Sequence, residues 1–197
     1  HSDAPALELL GQLLGDGKKA PLYTVIVEEN KLAPSVASYN SPLEIAGTFN
    51  ITVTAFPTTN LTDLEKSVFA AFKKFEVNGF TEDDLDRLKA KYETGFYQGI
   101  SSVLGKGFRL AYYNEYYGSP DAISKDLESV LAVSIDDVKR VFDKYIKDEN
   151  YVLTSFVPKG KTNLVADGSE LFPIKEEKIV KNVEKLVSTS EEELEKI

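Results

Sequence analysis

The sequence predicts an α+β domain, and three observations carry that expectation. Residues 48–56 alternate Phe49, Ile51, Val53 and Ala55 with Thr48, Asn50, Thr52 and Thr54, the period of two that gives a strand one buried face and one wet face. Residues 79–146 carry repeated helix start signals, each followed by apolar positions three and four apart. An apolar, β-branched run at 151–157 then returns as a strand. With a further extended segment at 32–40, the order is two adjacent strands, a block of helices and a returning strand.

The elements follow in turn. Residues 5–14 form the first helix, with Ser2 or Asp3 as its cap, Pro5 in its first turn, and Leu7, Leu10, Leu13 and Leu14 as one stripe. Gly15-Asp16-Gly17 ends it as a turn; no strand precedes it and no G-x-x-x-x-G-K-[ST] motif is present, so a phosphate loop is not indicated. Residues 20–29 form a second helix, apolar at Leu22, Tyr23, Val25 and Ile26, whose valines lower its propensity and leave it dependent on packing. Pro34 makes the extended segment an edge strand or a bulged one. Residues 41–47 form a loop, and Pro57 closes the strand at 48–56.

Thr62 and Glu65 read as a capping box that opens a helix with Leu64, Val68, Phe72 and Phe75 inside, stopped by Asn78-Gly79. Thr81 caps the next helix with Asp84 at the third helical position, and Leu85, Leu88, Tyr92, Phe96 and Gly99 form its face. Gly118 stops a short aromatic helix, where a left-handed turn needs no Cβ. Ser119-Pro120 starts another, faced by Ile123, Leu127, Val130 and Leu131. Ser134, with Asp137, caps the last, with Ile135, Val138, Phe142, Tyr145 and Ile146 turned inward. Asp148-Glu149-Asn150 breaks it before the final strand.

The composition changes after Pro158. Residues 1–159 are expected to be the domain, and 160–197 a charged linker or tail leading to a further domain. Helical periodicity at 174–187 and a capped helix from Ser190 are expected within it, contributing little to the core. The chain begins at His1 on the edge of a helix and reads as an excerpt of a longer protein.

The net charge of −9, with no basic cluster, argues against nucleic acid. With no cysteine, disulfides, thiolate nucleophiles and Cys-ligated zinc are excluded. Either redox compartment is then compatible, and the choice between bacterial periplasm and cytoplasm stays open. No apolar run approaches the ~20 residues of a membrane span. His1 is the sole histidine. A hydrolytic zinc site needs three protein ligands and an open position, so this chain is expected to hold neither metal nor cofactor. Ser-His-Asp and Cys-His systems fall with it. Asp83, Asp84 and Asp86, Asp136 and Asp137, and Glu191 to Glu193 sit in predicted first helical turns, where they favour the positive end of the helix dipole. Arg109 with Tyr112, Tyr113, Tyr116 and Tyr117 could grip a peptide by cation–π contact. Aromatic packing between helices, hydroxyls outward, is the preferred reading. Asn50-Ile-Thr and Asn60-Leu-Thr match glycosylation sequons.

The order of pieces carries a further signal. A Gly-Phe-Thr-acidic start at 79–82, a Tyr-rich helix ending in Gly-Ser-Pro-Asp at 118–121, SIDDVKRVFDKYI at 134–146 and Asp-Glu-Asn at 148–150 before a strand ending in Pro158 follow DAPALELLGQLLGDGKKAPLYTVIVEENKLAPSV at 3–36. Over about 3–159 this resembles the pitrilysin/insulinase-type zinc metallopeptidases, the family of mitochondrial processing peptidase. The likeness is to the metal-free domain that follows the zinc-binding domain. It implies a processing-peptidase-like metallohydrolase fold, a mostly antiparallel sheet with helices packed on one face, whose first strand lies before His1. It implies that zinc and its H-x-x-E-H motif sit on a domain outside this chain. This chain would close the substrate chamber and help bind peptide, with Asn50, Thr52 and Thr54 facing the substrate. Its partner would be the zinc-binding domain of the same parent or a partner subunit. The alternative is a subunit that has lost the metal motif and acts as an interaction protein. The family's substrate-holding Arg and Tyr fall on Val27 and Pro34, both departures, so neither role is carried over. The polypeptide alone is expected to bind no stoichiometric zinc and to cleave no peptide.

Overall fold

The computed structural model describes residues 1–170. The helices expected at 174–187 and from Ser190, with Glu191 to Glu193, lie outside the described residues. Helix α1 (Ala4–Gly15) leads to a short α2 (Pro21–Tyr23) that runs on as a π-helix over Thr24–Glu29. Strands β1 (Ser35–Pro42) and β2 (Gly47–Thr54) follow, then α3 (Leu61–Asn78), α4 (Glu82–Gly99), α5 (Val103–Tyr117), α6 (Ala122–Leu131), α7 (Ile135–Tyr145) and a 3₁₀ turn (Thr162–Leu164).

α1 is the hub, packing against β1, α2, α4, α6 and α7. Leu9, Leu10 and Leu14 are fully buried and join Leu22, Ile26, Leu85, Val138, Val141 and Phe142 in one core. Its other face carries Gly11 and Gly15, one turn apart, against β1. A Cβ on Gly15 would lie 2.8 Å from the Ser38 backbone nitrogen, and one on Gly11 would lie 3.0 Å from Tyr39 Cα. The Ser38 hydroxyl donates to the Gly11 carbonyl at 2.6 Å. Gly15, expected in the turn, is thus a buried helical residue that admits the sheet.

The first turn of the second expected helix is α-helical; the rest closes i to i+5, as in the Asn30 N–H to Val25 carbonyl bond of 3.0 Å. Both capping boxes read at Thr81/Asp84 and Ser134/Asp137 are formed. Gly118 is left-handed at φ 75°. α3 is capped two residues earlier than expected, by Asn60, whose Oδ1 accepts from the Thr62 N–H at 2.8 Å. Thr62 and Glu65 instead serve distant segments: Thr62 Oγ1 accepts from the Asp167 N–H at 2.9 Å, and Glu65 accepts from the Tyr151 hydroxyl at 2.6 Å. α6 starts at Ala122, with Ser119 Oγ holding the Asp121 N–H in the turn before it.

The expected mostly antiparallel sheet is corrected. Among the described residues the sheet has two strands, paired antiparallel from Ser35↔Thr54 to Pro42↔Gly47, in a domain dominated by helices. Residues 151–157 do not form the expected returning strand, because a strand exists only through a ladder partner and the open side of β2 does not reach them. Val152 and Phe156 are left 93% and 89% exposed. Just beyond, Ala166 is 1% exposed and its N–H reaches Ser155 Oγ at 3.3 Å. This first part of the expected tail therefore packs on the domain.

Asp3 stands at the N-terminus of α1 without capping it. Its buried carboxylate accepts from Lys144 Nζ at 3.0 Å, Arg140 Nη1 at 2.8 Å and the Tyr145 hydroxyl at 2.8 Å, all on α7. These donors, Lys144 foremost, lower its pKa from 3.8 to about 2. A carboxylate with a depressed folded-state pKa contributes stability that is complete above its unfolded pKa and lost as pH falls through the folded one. Asp3→Asn is therefore expected to lower stability at pH 7 by about 1–2 kcal/mol, discounted for the solvent-exposed Arg140 and Lys144 heads. It should also flatten the wild-type decline between about pH 4 and pH 2. Urea midpoints of both proteins across that range check this; parallel curves would remove Asp3 from the acid response.

Candidate functional site

The β-ladder decides which residues share a face. Val36, Ser38 and Asn40 stand opposite Val53, Ile51 and Phe49, on the side packed by helices. Tyr39, Ala37 and Ser35 stand opposite Asn50, Thr52 and Thr54 on the other side. The three sequence candidates therefore do share one face, with Tyr39, 48% exposed, beside Asn50. Thr52 and Thr54 are exposed; Asn50 is half-buried and donates to the Thr48 carbonyl at 3.2 Å and to Thr48 Oγ1 at 2.9 Å. Hydroxyls and an amide can hold a peptide by hydrogen bonds. The face carries no histidine, carboxylate or amine, so it offers hydrogen bonds rather than acid–base groups.

The packed side of β2 opens into an apolar groove of about 530 Å³. Phe49, Ile51 and Val53 form one wall, Val68 and Phe72 of α3 another, and residues 151–157 the third. Tyr151 is fixed there by Glu65 and by an edge contact to Phe69 at 5.6 Å. The sequence marked 151–157 as apolar but held no sign that the run lines a groove, since that depends on contacts with α3 some eighty positions earlier.

The other candidates are placed differently. Among the described residues no three of His, Cys, Asp or Glu gather into a metal site. His1 accepts from the Asp3 N–H at 3.1 Å, and Asp3 is committed to α7, so the donors present do not fit zinc. Val27 is half-buried on the π-helix and Pro34 is exposed just before β1.

The tyrosine cluster divides. Tyr112, Tyr116 and Tyr117 are exposed, whereas Tyr113 is buried and donates inward to Asp126 at 2.6 Å, with Tyr92 at 3.4 Å from the same carboxylate. Burial, then the Asp126 charge, pushes the Tyr92 hydroxyl up to about 12; burial and the Asp126 hydrogen bond push Tyr113 up as well. They are structural donors, and the expectation of outward hydroxyls fails at Tyr113. Arg109 does not join the tyrosines; it lies over the Phe96 ring at 5.4 Å. Asn60 of the second sequon spends its side-chain oxygen capping α3. No helix among the described residues is long and apolar enough to cross a membrane.

Against known proteins, the model of the peptidase M16 inactive domain matches residues 1–92, from α1 into α4. That match takes in the first 92 of the 197 residues, so over α1, the strands, α3 and the start of α4 the chain is similar to that domain. The chain is 28% identical over 151 residues to the zinc protease PqqE of Helicobacter pylori, an alignment covering 75% of this chain and 33% of that protein. It is 24% identical over 131 residues to the mitochondrial-processing peptidase subunit beta of Lentinula edodes, covering 66% of this chain and 28% of the relative. The crystal structure of a protease from Helicobacter pylori superposes with a TM-score of 0.65 at 26% identity, over 75% of this chain and 35% of that one. The chain thus spans about a third or less of the length of the curated relatives it matches.

Proposed function

We propose that this domain is the non-catalytic half of a zinc peptidase chamber: it closes the chamber and binds peptide, while a zinc-binding domain of the same parent, or a partner subunit, carries hydrolysis. The observation that carries this is the exposed face of β1 and β2, where Tyr39, Asn50, Thr52 and Thr54 form a hydrogen-bonding surface that no described element covers. The similarity to PqqE and to the processing-peptidase subunit supports the setting. In this reading a strand of the parent lies along the open side of β2 in the apolar groove, completing the sheet and covering Phe49 and Ile51. The charged stretch from 160 onward leads to a further domain.

Thr52→Lys in the parent peptidase tests it. Thr52 is exposed, so the fold should tolerate the change, with a thermal midpoint within a degree or two by the usual scale for surface substitutions. Peptide turnover should change, with kcat/KM moving several-fold, on the order of 1 kcal/mol of differential binding. Unchanged kinetics across peptides of different charge would leave an ordinary solvated sheet face.

A further inference from the structure

A second opening lies among the helices, lined by Gln12 of α1, Lys91, Tyr92, Gly95 and Phe96 of α4, and Arg109 of α5, with a volume of about 330 Å³. None of these residues belongs to the sheet, so the opening is separate from the proposed peptide face.

Arg109 is the exception among the three arginines. Arg87 pairs with Asp84 at 3.3 Å, and Arg140 pairs with Asp3 at 2.8 Å and Asp137 at 3.3 Å. Among the described residues no carboxylate lies within ion-pair range of Arg109. The nearby carboxylates are engaged elsewhere: Asp126 by Tyr113 and Tyr92, and Glu8 by the Gln12 amide at 3.3 Å. The guanidinium is nonetheless held in place. Its Cζ lies over the Phe96 ring, and it fits because residue 99 is glycine: a Cβ there would lie 2.8 Å from Arg109 Nη2. A guanidinium held over a ring by cation–π attraction spends no N–H donor on it, so its planar fork remains available to a carboxylate.

Gly95 adds an independent sign. It sits in the interior of α4, where glycine is the poorest helix former after proline. No close packing requires it, since a Cβ at 95 would meet nothing within 4 Å. The space it leaves is the opening itself. Arg109 and Lys91 line this space and no carboxylate does, although Lys91 is already paired with Asp16 outside the opening, in a chain whose net charge is −9.

We propose that this opening is a carboxylate-binding site, with Arg109 as the bidentate donor and Gly95 keeping the space clear. Its volume is at the low end of ligand pockets, which suits a small organic acid or the last residue or two of a peptide chain.

The test uses the 197-residue chain, whose three arginines give three side-chain Nε–Hε NMR signals; Arg109→Gln identifies the relevant one. Acetyl-Gly-Phe with a free carboxylate, its C-terminal amide, and acetate are titrated at fixed pH and ionic strength. The free acid should move the Arg109 signal saturably and leave those of Arg87 and Arg140 in place, while the amide should not. Acetate binding as tightly as the free acid would assign the site to small acids; acetate binding about tenfold or more weaker would assign it to chain termini. Read on the Gln12 side-chain amide, Arg109→Gln should weaken binding by roughly ten- to a hundredfold, the scale of a charge-assisted hydrogen bond. Gly95→Leu should abolish the Arg109 shift with a thermal midpoint at or above the parent's, separating a filled pocket from a lost fold. No saturable shift, an equal shift with the amide, or binding retained in Gly95→Leu would overturn the site.

Discussion

Replacing Gly15 with valine is expected to destabilise the domain by about 3 kcal/mol or more, the upper range for overpacking a close contact. The added Cβ would sit 2.5 Å from Ser38 Oγ and 2.8 Å from the Ser38 backbone nitrogen. A side chain could rotate away, but the β1 backbone cannot move without breaking the Ser38 bond to Gly11 and shifting its ladder with β2. The sheet should come off α1 before the helical core opens, so amide exchange should rise first at residues 35–54. Gly107→Ala is the control. Gly107 lies within α5 with open space around its Cβ position, so alanine should stabilise by about 0.5–1 kcal/mol. Equal urea midpoints for Gly15→Val and the parent would show that α1 and β1 are not in this close contact.

Phe142→Ala should have a comparable or larger effect, about 3–5 kcal/mol for removing a buried ring. Phe142 lies on α7, 3% exposed, with ring centroids 5.0 Å from Phe75 and 5.8 Å from Phe72 of α3. Its loss leaves both rings facing a cavity between the first and last helices of the block. Set against the roughly 5–15 kcal/mol of a typical domain, this removes a large part of the stability margin. Phe142→Leu keeps most of the volume and should lose about 1–2 kcal/mol. Chemical denaturation of the pair checks the order; a Phe142→Ala protein within about 1 kcal/mol of the parent would mean that the ring is not packed as described.

Much of the fold was legible in the residues because its causes are local. A threonine or serine three positions before an aspartate satisfies helix N–H groups wherever it occurs, so the starts of α4 and α7 could be read directly. Gly118 is left-handed because the chain must turn there without a Cβ. The alternation at 48–56 placed Asn50, Thr52 and Thr54 on one face, since a strand has a period of two whatever it packs against.

Tertiary structure decided what depends on partners far apart in sequence. Asp3 looked like a helix cap, yet α7 offers its buried carboxylate three donors that the first turn of α1 cannot match. Thr62 and Glu65 looked like a capping box, yet Asp167 and Tyr151 take their side chains and leave the cap to Asn60. Gly15 looked like a turn residue until β1 came within reach of it. Residues 151–157 have the composition of a strand, but strand formation requires an adjacent ladder, and composition cannot supply a neighbour. Arg109 was read with the tyrosines that follow it on α5; only the approach of α4 set it over Phe96, beside the space that Gly95 leaves open.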